Sequence, residues 1–262
     1  MGEALIKGLH KTHRILVCEA NAQRAKFLQK KYGITTTNIN TAVQFSSTVI
    51  FAVKPQDMGY VLDNICRGES CIRPFGRWQA SPLQNKLFIS IAAGLTTKFF
   101  EKHLRKVRLI RCMPNMPALI GEGITAICAG QYATAINVRA AQKILQTIGQ
   151  TVVVKESMIN AVTAVSGSGP AYVFLFVQAW IAAAKKLGFK EAEARQLVYK
   201  TLLGSSHLLE KSKFDAATLR AKVTSKGGTT QAAMGVFFKR KFDPMMQEAL
   251  LAAKKRAKEL AR

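Results

Sequence analysis

The sequence predicts an α/β protein in two parts: a mainly parallel sheet covered by helices over residues 1–155, then an all-helical part over residues 156–262. Three observations lead there. Short apolar runs alternate with helical patterns as far as Val154. Beyond Val165-Ser166-Gly167-Ser168-Gly169-Pro170-Ala171-Tyr172-Val173-Phe174 there is almost nothing but helix. The first helix of that second part is apolar nearly all round and needs cover on every side, which a second subunit would supply.

The first part divides as follows. Gly2 to Leu9 reads as a short helix and Arg14 to Cys18 as a strand ending at Glu19. Ala22 to Tyr32 is an amphipathic helix capped by Gly33, and Ile34 to Thr36 a short strand. Thr48 to Val53 reads as a buried strand ended by Lys54-Pro55, with a helix from Gln56 to about Ile65. Leu87 to Ile91, Val107 to Met113, Gly123 to Cys128 and Thr151 to Val154 are further strands. A helix from Thr134 to Ile148 precedes the last of them. Apolar strands alternating with helices argue for a parallel sheet buried on both faces. Between Arg67 and Lys86 the pattern lapses, and Gly68, Pro74, Gly76 and Pro82 mark a long surface loop.

In the second part, two glycines and two serines at 166–169 allow close backbone approach. Pro170 then sits in the first turn of a helix running from Ala171 to about Leu187 and stopping at Gly188. Gln178 interrupts its apolar run, which falls short of the ~20 residues a bilayer needs, so no membrane span is expected. Further helices are expected from Glu191 to about Lys211, from Ser225 through Phe237, and after an Asp243-Pro244 cap. The last has Met246, Ala249, Leu250, Ala253 and Leu260 as its apolar stripe.

Composition bounds the class. Forty-eight per cent of the 262 residues are hydrophobic, enough for a full core. The odd cysteine count (Cys18, Cys66, Cys71, Cys112, Cys128) reads as reduced cytosolic thiols, and no metal site is expected. No basic leader with an apolar core is expected at Met1, and the predicted location is cytoplasmic. The net charge of +24 is spread along the chain without aromatic interleaving. It reads as a basic surface that draws anionic ligands rather than as a specific nucleic-acid site.

In parallel sheets ligands bind beyond the carboxyl ends of the strands, which singles out Glu19, Val53-Lys54-Pro55, Ala92-Ala93-Gly94 and Met113-Pro114-Asn115. A dinucleotide-binding, Rossmann-like fold opens with a strand and G-x-G-x-x-G. Met1-Gly2-Glu3-Ala4-Leu5-Ile6 resembles the third glycine and the following helix, with the strand and first two glycines missing. Glu19 then lies at the spacing of the acidic residue that bonds the adenosine ribose. Its carboxylate would repel a 2′-phosphate and leans the choice between NADPH and NADH towards NADH, although Arg24 could receive a phosphate.

Four segments together resemble the pyrroline-5-carboxylate reductase family. They are Val49 to Gln56 (VIFAVKPQ), Arg111 to Ala118 (RCMPNMPA), Val165 to Phe174 (VSGSGPAYVF) and Ser225 to Thr230 (SKGGTT). The resemblance implies a Rossmann domain, a helical domain that interlocks with its partner's in a homodimer or larger homo-oligomer, and reduction of a small cyclic imino acid to L-proline with NADPH or NADH. Hydride transfer to the imine carbon requires little acid–base machinery, so the isolated His10, His13, His103 and His207 are read as surface or packing residues.

The resemblance also implies site roles. Gly2, Glu19, Ala52, Val53, Lys54, Pro55, Ala93, Gly94 and Asn115 would contact the cofactor, with Lys54 near the reacting ring. Ser225, Gly227, Gly228, Thr229 and Thr230 would bind the substrate carboxylate at a helix N-terminus, with the Thr230 hydroxyl beside the substrate nitrogen. Lys226 stands where the family usually has proline, which loosens the loop and adds positive charge. Three other readings fit the sequence: a non-catalytic relative, a nucleic-acid-associated protein, and a reductase of another imine or keto acid.

Overall fold

The computed structural model describes residues 1–67 and 82–261. They form two compact units, Met1–Ser168 with Ala253–Arg262, and Gly169–Ala252.

The first unit opens with α1 (Gly2–Leu9), which buries Ala4, Leu5, Ile6 and Leu9. β1 (Leu16–Val17) is shorter than the strand expected over residues 14–18 and, among the described residues, pairs in parallel only with β2 (Thr35–Thr36). Between them lies α2 (Ala22–Tyr32), with the Asn21 side chain accepting from the Arg24 amide at its start and left-handed Gly33 at its end. α3 (Ile39–Phe45) has Asn38 as its N-cap, accepting from the Thr41 amide. The Lys86 ammonium donates to the carbonyls of Gln44, in α3's last turn, and Ser46, its C-cap, where a cation meets the negative end of the helix. Burial pulls that ammonium below its ordinary pKa.

The main sheet has the order β3-β4-β5-β6-β7, from β3 (Thr48–Phe51) through β4 (Leu87–Ser90), β5 (Arg108–Met113) and β6 (Gly123–Ala129) to β7 (Gly149–Val153). All pairings are parallel except β5 with β6. The nine residues 114–122 cannot hold a crossover helix, so the chain turns back on itself there. β3 is an edge strand buried only at Phe51, not the fully buried strand expected over residues 48–53.

Alternation along the strands makes two cores. Leu87, Ile89, Ile110, Cys112 and Ile127 face α1 and α6 (Ala135–Leu145, N-cap Thr134). Phe51, Phe88 and Leu109 face α4 (Met58–Arg67) and α5 (Thr97–Leu104). There Phe51 stacks on Phe88 at 5.7 Å and on Phe100 at 5.5 Å. Each such fully buried side chain contributes roughly 1.5–3 kcal/mol. A short helix α7 (Ile159–Val162) covers Ala126 and Cys128 through Ile159 and Val162. Most of the loop expected over residues 67–86, with Cys71, lies outside the described residues; a 3₁₀ turn at Pro82–Asn85 precedes β4. Cys18, Cys66, Cys112 and Cys128 are free thiols.

After α7 the chain takes one π-helical stretch, Thr163–Gly167, in which the Thr163 and Ser166 hydroxyls donate to the carbonyls four residues back. The second unit then begins with α8 (Gly169–Lys186), carrying Pro170 in its first turn and ending before Gly188 at φ +99°. α9 (Glu191–Lys211), α10 (Ala216–Lys222, N-cap Asp215) and α11 (Thr229–Lys239) follow. α12 (Phe242–Glu259) starts one residue before Asp243, so Asp243-Pro244 lie inside its first turn instead of capping it. Of its expected stripe, Leu250 and Ala253 are partly buried, joined by Ala257. Met246, Ala249 and Leu260 are exposed.

α8 buries only Ala184, leaving Val173, Phe174, Leu175, Phe176 and Trp180 in the open, with Phe174 57% exposed. Helix from Glu156 to Lys186 is long and apolar enough, by length and composition alone, to cross a membrane.

Candidate active site

The carboxyl ends of the parallel strands gather most of the residues singled out for the cofactor. Gly2 begins α1 and faces Ala52, which follows β3: a Cβ on Gly2 would lie 3.3 Å from the Ala52 Cβ. Val53 is half-buried, and Lys54 is exposed in extended backbone at the start of a 3₁₀ turn, Pro55–Asp57. Ala93 is exposed and Gly94 sits at φ +76°, a left-handed conformation that disfavours a side chain. Gly94 also lets the end of α12 come close, because a Cβ there would meet the Leu260 carbonyl oxygen at 2.8 Å.

Asn115 follows β5, and its Oδ1 accepts from the Ile124 amide at 2.9 Å. This bond ties the β5–β6 connection together and fixes the amide, leaving Nδ2 as the group able to donate outward. Glu19 follows β1, accepting from the Asn21 amide at 3.0 Å and pairing with Arg24 Nε at 3.5 Å. Arg24 also reaches Glu3 at 3.2 Å. The Glu3 carboxyl, held by hydrogen bonds from Lys31 and Tyr32, lies below its ordinary pKa. The acidic side chain in the first turn of α1 is therefore matched by cations, which suits a helix end expected to face a pyrophosphate.

A buried polar cluster on the same strands had no counterpart in the sequence reading. Arg111, 4% exposed in β5, donates to Glu156 at 2.9 Å. Glu156 also accepts from the Thr97 amide at 2.7 Å and the Thr97 hydroxyl at 2.6 Å. Burial pushes the Glu156 carboxyl up, but the bonds from Thr97 and Arg111 outweigh it and hold it below its ordinary value. Opposite Arg111 in the ladder, the Cys128 thiol is pushed up to about 12 by burial and then by the Glu156 charge, which makes it inert as a nucleophile. The available signal was a charged residue inside the apolar run Leu109-Ile110-Arg111-Cys112, which demands a partner.

In the second unit, Gly228 is the N-cap of α11 and so offers no side-chain cap to its first amides. Gly227 takes φ +73°, and its amide donates to the Gln231 side chain. The Gly228 amide donates to the Ser225 carbonyl at 3.1 Å, closing the turn. Ser225, Lys226 and Thr229 are exposed and Thr230 is half-buried. Thr229 is the first helical residue. A helix end with glycine as its cap is free to receive an anion.

The parallel sheet, the glycine-fronted helix α1 and the turns beyond the strand ends define a Rossmann-type nicotinamide-dependent oxidoreductase, joined to a helical domain. Residues 1–72 match a family model described as NADP oxidoreductase, coenzyme F420-dependent, and residues 156–260 one described as pyrroline-5-carboxylate reductase dimerisation. The chain is 33% identical to a pyrroline-5-carboxylate reductase of Mycobacterium tuberculosis, over 99% of this chain and 93% of that one. A solved pyrroline-5-carboxylate reductase from Coxiella burnetii superposes with TM-score 0.86 at 31% identity, covering 100% of this chain and 95% of that one. The Plasmodium falciparum pyrroline carboxylate reductase solved with NADP bound gives TM-score 0.82 at 27% identity, with the same coverage. The chain belongs to the pyrroline-5-carboxylate reductase family.

Proposed function

We propose that this chain reduces 1-pyrroline-5-carboxylate to L-proline by hydride transfer from NADPH or NADH, the last step of proline biosynthesis. The observation that carries this reading is the likeness over 99% of the chain to reductases of that substrate. When bound, the cofactor would supply a hydride from its reduced nicotinamide to the C=N carbon of the imine, the carbon that becomes C5 of proline.

This chain's residues bind and orient. The Rossmann-like part, residues 1–155, presents Gly2, Ala52, Val53, Lys54, Pro55, Ala93, Gly94 and Asn115 to the cofactor, and Glu19 to its adenosine ribose. The helical part, residues 156–262, binds the imino acid. Its carboxylate lies on the α11 N-terminus at Gly227, Gly228 and Thr229, beside Ser225, with Lys226 adding positive charge. The Thr230 hydroxyl donates towards the substrate nitrogen. A cyclic iminium carries its own proton, so this site needs no histidine base. Glu19 favours NADH, its half-buried carboxylate repelling a 2′-phosphate where Arg24 is already shared with Glu3. Pairing through the helical part covers α8, which accounts for its apolar surface without a membrane. The enzyme works in the cytoplasm and has no specific nucleic-acid partner.

The test is turnover. Purified chain with 1-pyrroline-5-carboxylate should oxidise both cofactors, with a higher kcat/KM for NADH, and should yield proline; Glu19→Ser should move the preference towards NADPH. Cofactor oxidation without proline would overturn the proposal.

A further inference from the structure

We propose that Glu156 is a positioning residue for cofactor binding, because its one carboxylate fastens the first residue of α5 to Arg111, the last β5 residue in the ladder with β4. The inference rests on the reading of Gly94 and Asn115 as cofactor contacts. The β4–β5 pairing stops at Ser90↔Arg111. Past that rung β4 runs into Ala92-Ala93-Gly94 and β5 into Met113-Pro114-Asn115, so the ladder no longer sets the separation of the two turns.

Glu156 ties the start of α5 back to that last rung. Oε1 accepts from the Thr97 amide at 2.7 Å and from Arg111 Nη1 at 2.9 Å, while Oε2 accepts from the Thr97 hydroxyl at 2.6 Å. Thr97 is three residues past Gly94, and Arg111 four before Asn115. Thr97 and Arg111 are both buried while the Glu156 side chain keeps 32% of its surface in solvent, and short charge-assisted bonds of this kind fix geometry as well as add energy. The carboxylate also sits at the N-terminus of α5, where negative charge is favoured. On the far side of the same segment, Gly167 leaves room for Met113: a Cβ there would come within 2.8 Å of its Cε. The stretch from Glu156 to Gly167 thus bonds β5 at Arg111 and packs against it at Met113.

The experiment compares full-length Glu156→Gln and Thr97→Val with the parent, reading NADPH Kd by fluorescence titration, Tm, and KM for 1-pyrroline-5-carboxylate. Glu156→Gln should raise the cofactor Kd roughly tenfold, about the loss of one charge-assisted hydrogen bond. Thr97→Val should raise it about threefold, and KM for the imine should hold within about twofold in both. Glu156→Asp should recover part of the loss. A fall in Tm with an unchanged cofactor Kd would overturn the proposal by making the cluster purely structural. If Glu156→Gln does not fold, Thr97→Val decides alone. Asn115→Ala separates the two layers. If it weakens cofactor binding while Glu156→Gln and Thr97→Val do not, positioning fails and the site reading stands. If it has no effect, the site reading fails and the positioning role falls with it.

Discussion

Gly2 and Ala52 stand so close that a methyl group on the glycine would lie 3.3 Å from the Ala52 Cβ. The first turn of α1 thereby lies against the chain leaving β3, at the strand ends where a parallel sheet takes its ligand. Gly2→Val should push these segments apart and raise the NADPH Kd by about tenfold, one step of 1.4 kcal/mol. Fluorescence titration checks it, and an unchanged Kd would remove Gly2 from the site.

Substrate affinity should depend on the other unit. Replacing Gly227, which sits at φ +73°, with alanine strains the turn ahead of α11. KM for 1-pyrroline-5-carboxylate should rise about tenfold while cofactor Kd stays within about twofold. Thr230→Val should lower kcat/KM by roughly 10–100-fold, through a lost hydrogen bond to the reacting nitrogen. Steady-state kinetics in both substrates separate these effects from misfolding.

Acid sensitivity should follow from Glu156. Its folded pKa is depressed, so the folded state binds fewer protons there than the unfolded chain does. The stabilisation is fully present above the ordinary carboxylate pKa and disappears as pH falls through the depressed value. Cys128, pushed up to about 12, stays neutral over this range and does not offset the loss. Glu156→Gln should flatten the acid limb of a Tm-against-pH curve. A parallel shift at every pH would contradict this origin.

The apolar face of α8 should be an assembly surface. Leu175 is 66% exposed and Phe174 57%. Desolvating such side chains at the centre of an interface supplies much of its binding energy. Leu175→Lys with Phe174→Lys should reduce the chain to a monomer in light scattering. A chain already monomeric before substitution would refute the assignment.

The fold was legible where one local rule decides it. Helices α1, α2, α6, α8 and α9 followed from apolar spacing and from glycine stops such as Gly33 and Gly188. α3, α5 and α10 are seven or eight residues long and, unlike the equally short α1, had no motif beside them to mark them. Yet each announces itself by a cap: Asn38, Thr96 and Asp215 all accept from an amide three residues on. The antiparallel turn of β6 was implicit in the nine residues after Met113, too few for a crossover helix. The Arg111–Glu156 pair spans forty-five positions, and no local pattern joins residues so far apart. Within the site, Gly2 was singled out by its likeness to the third glycine of G-x-G-x-x-G and Asn115 by the strand-end rule, whereas the hydrogen bond that holds Asn115 needed the fold of β6 to exist first.

The most direct measurement follows the transferred atom. The full chain is incubated with 1-pyrroline-5-carboxylate and NADPH or NADH carrying deuterium at the transferring position of C4, and the product is analysed by mass spectrometry and NMR. L-Proline bearing one deuteron at C5 is the predicted result. Proline without label, or oxidised cofactor with no proline, would contradict the account.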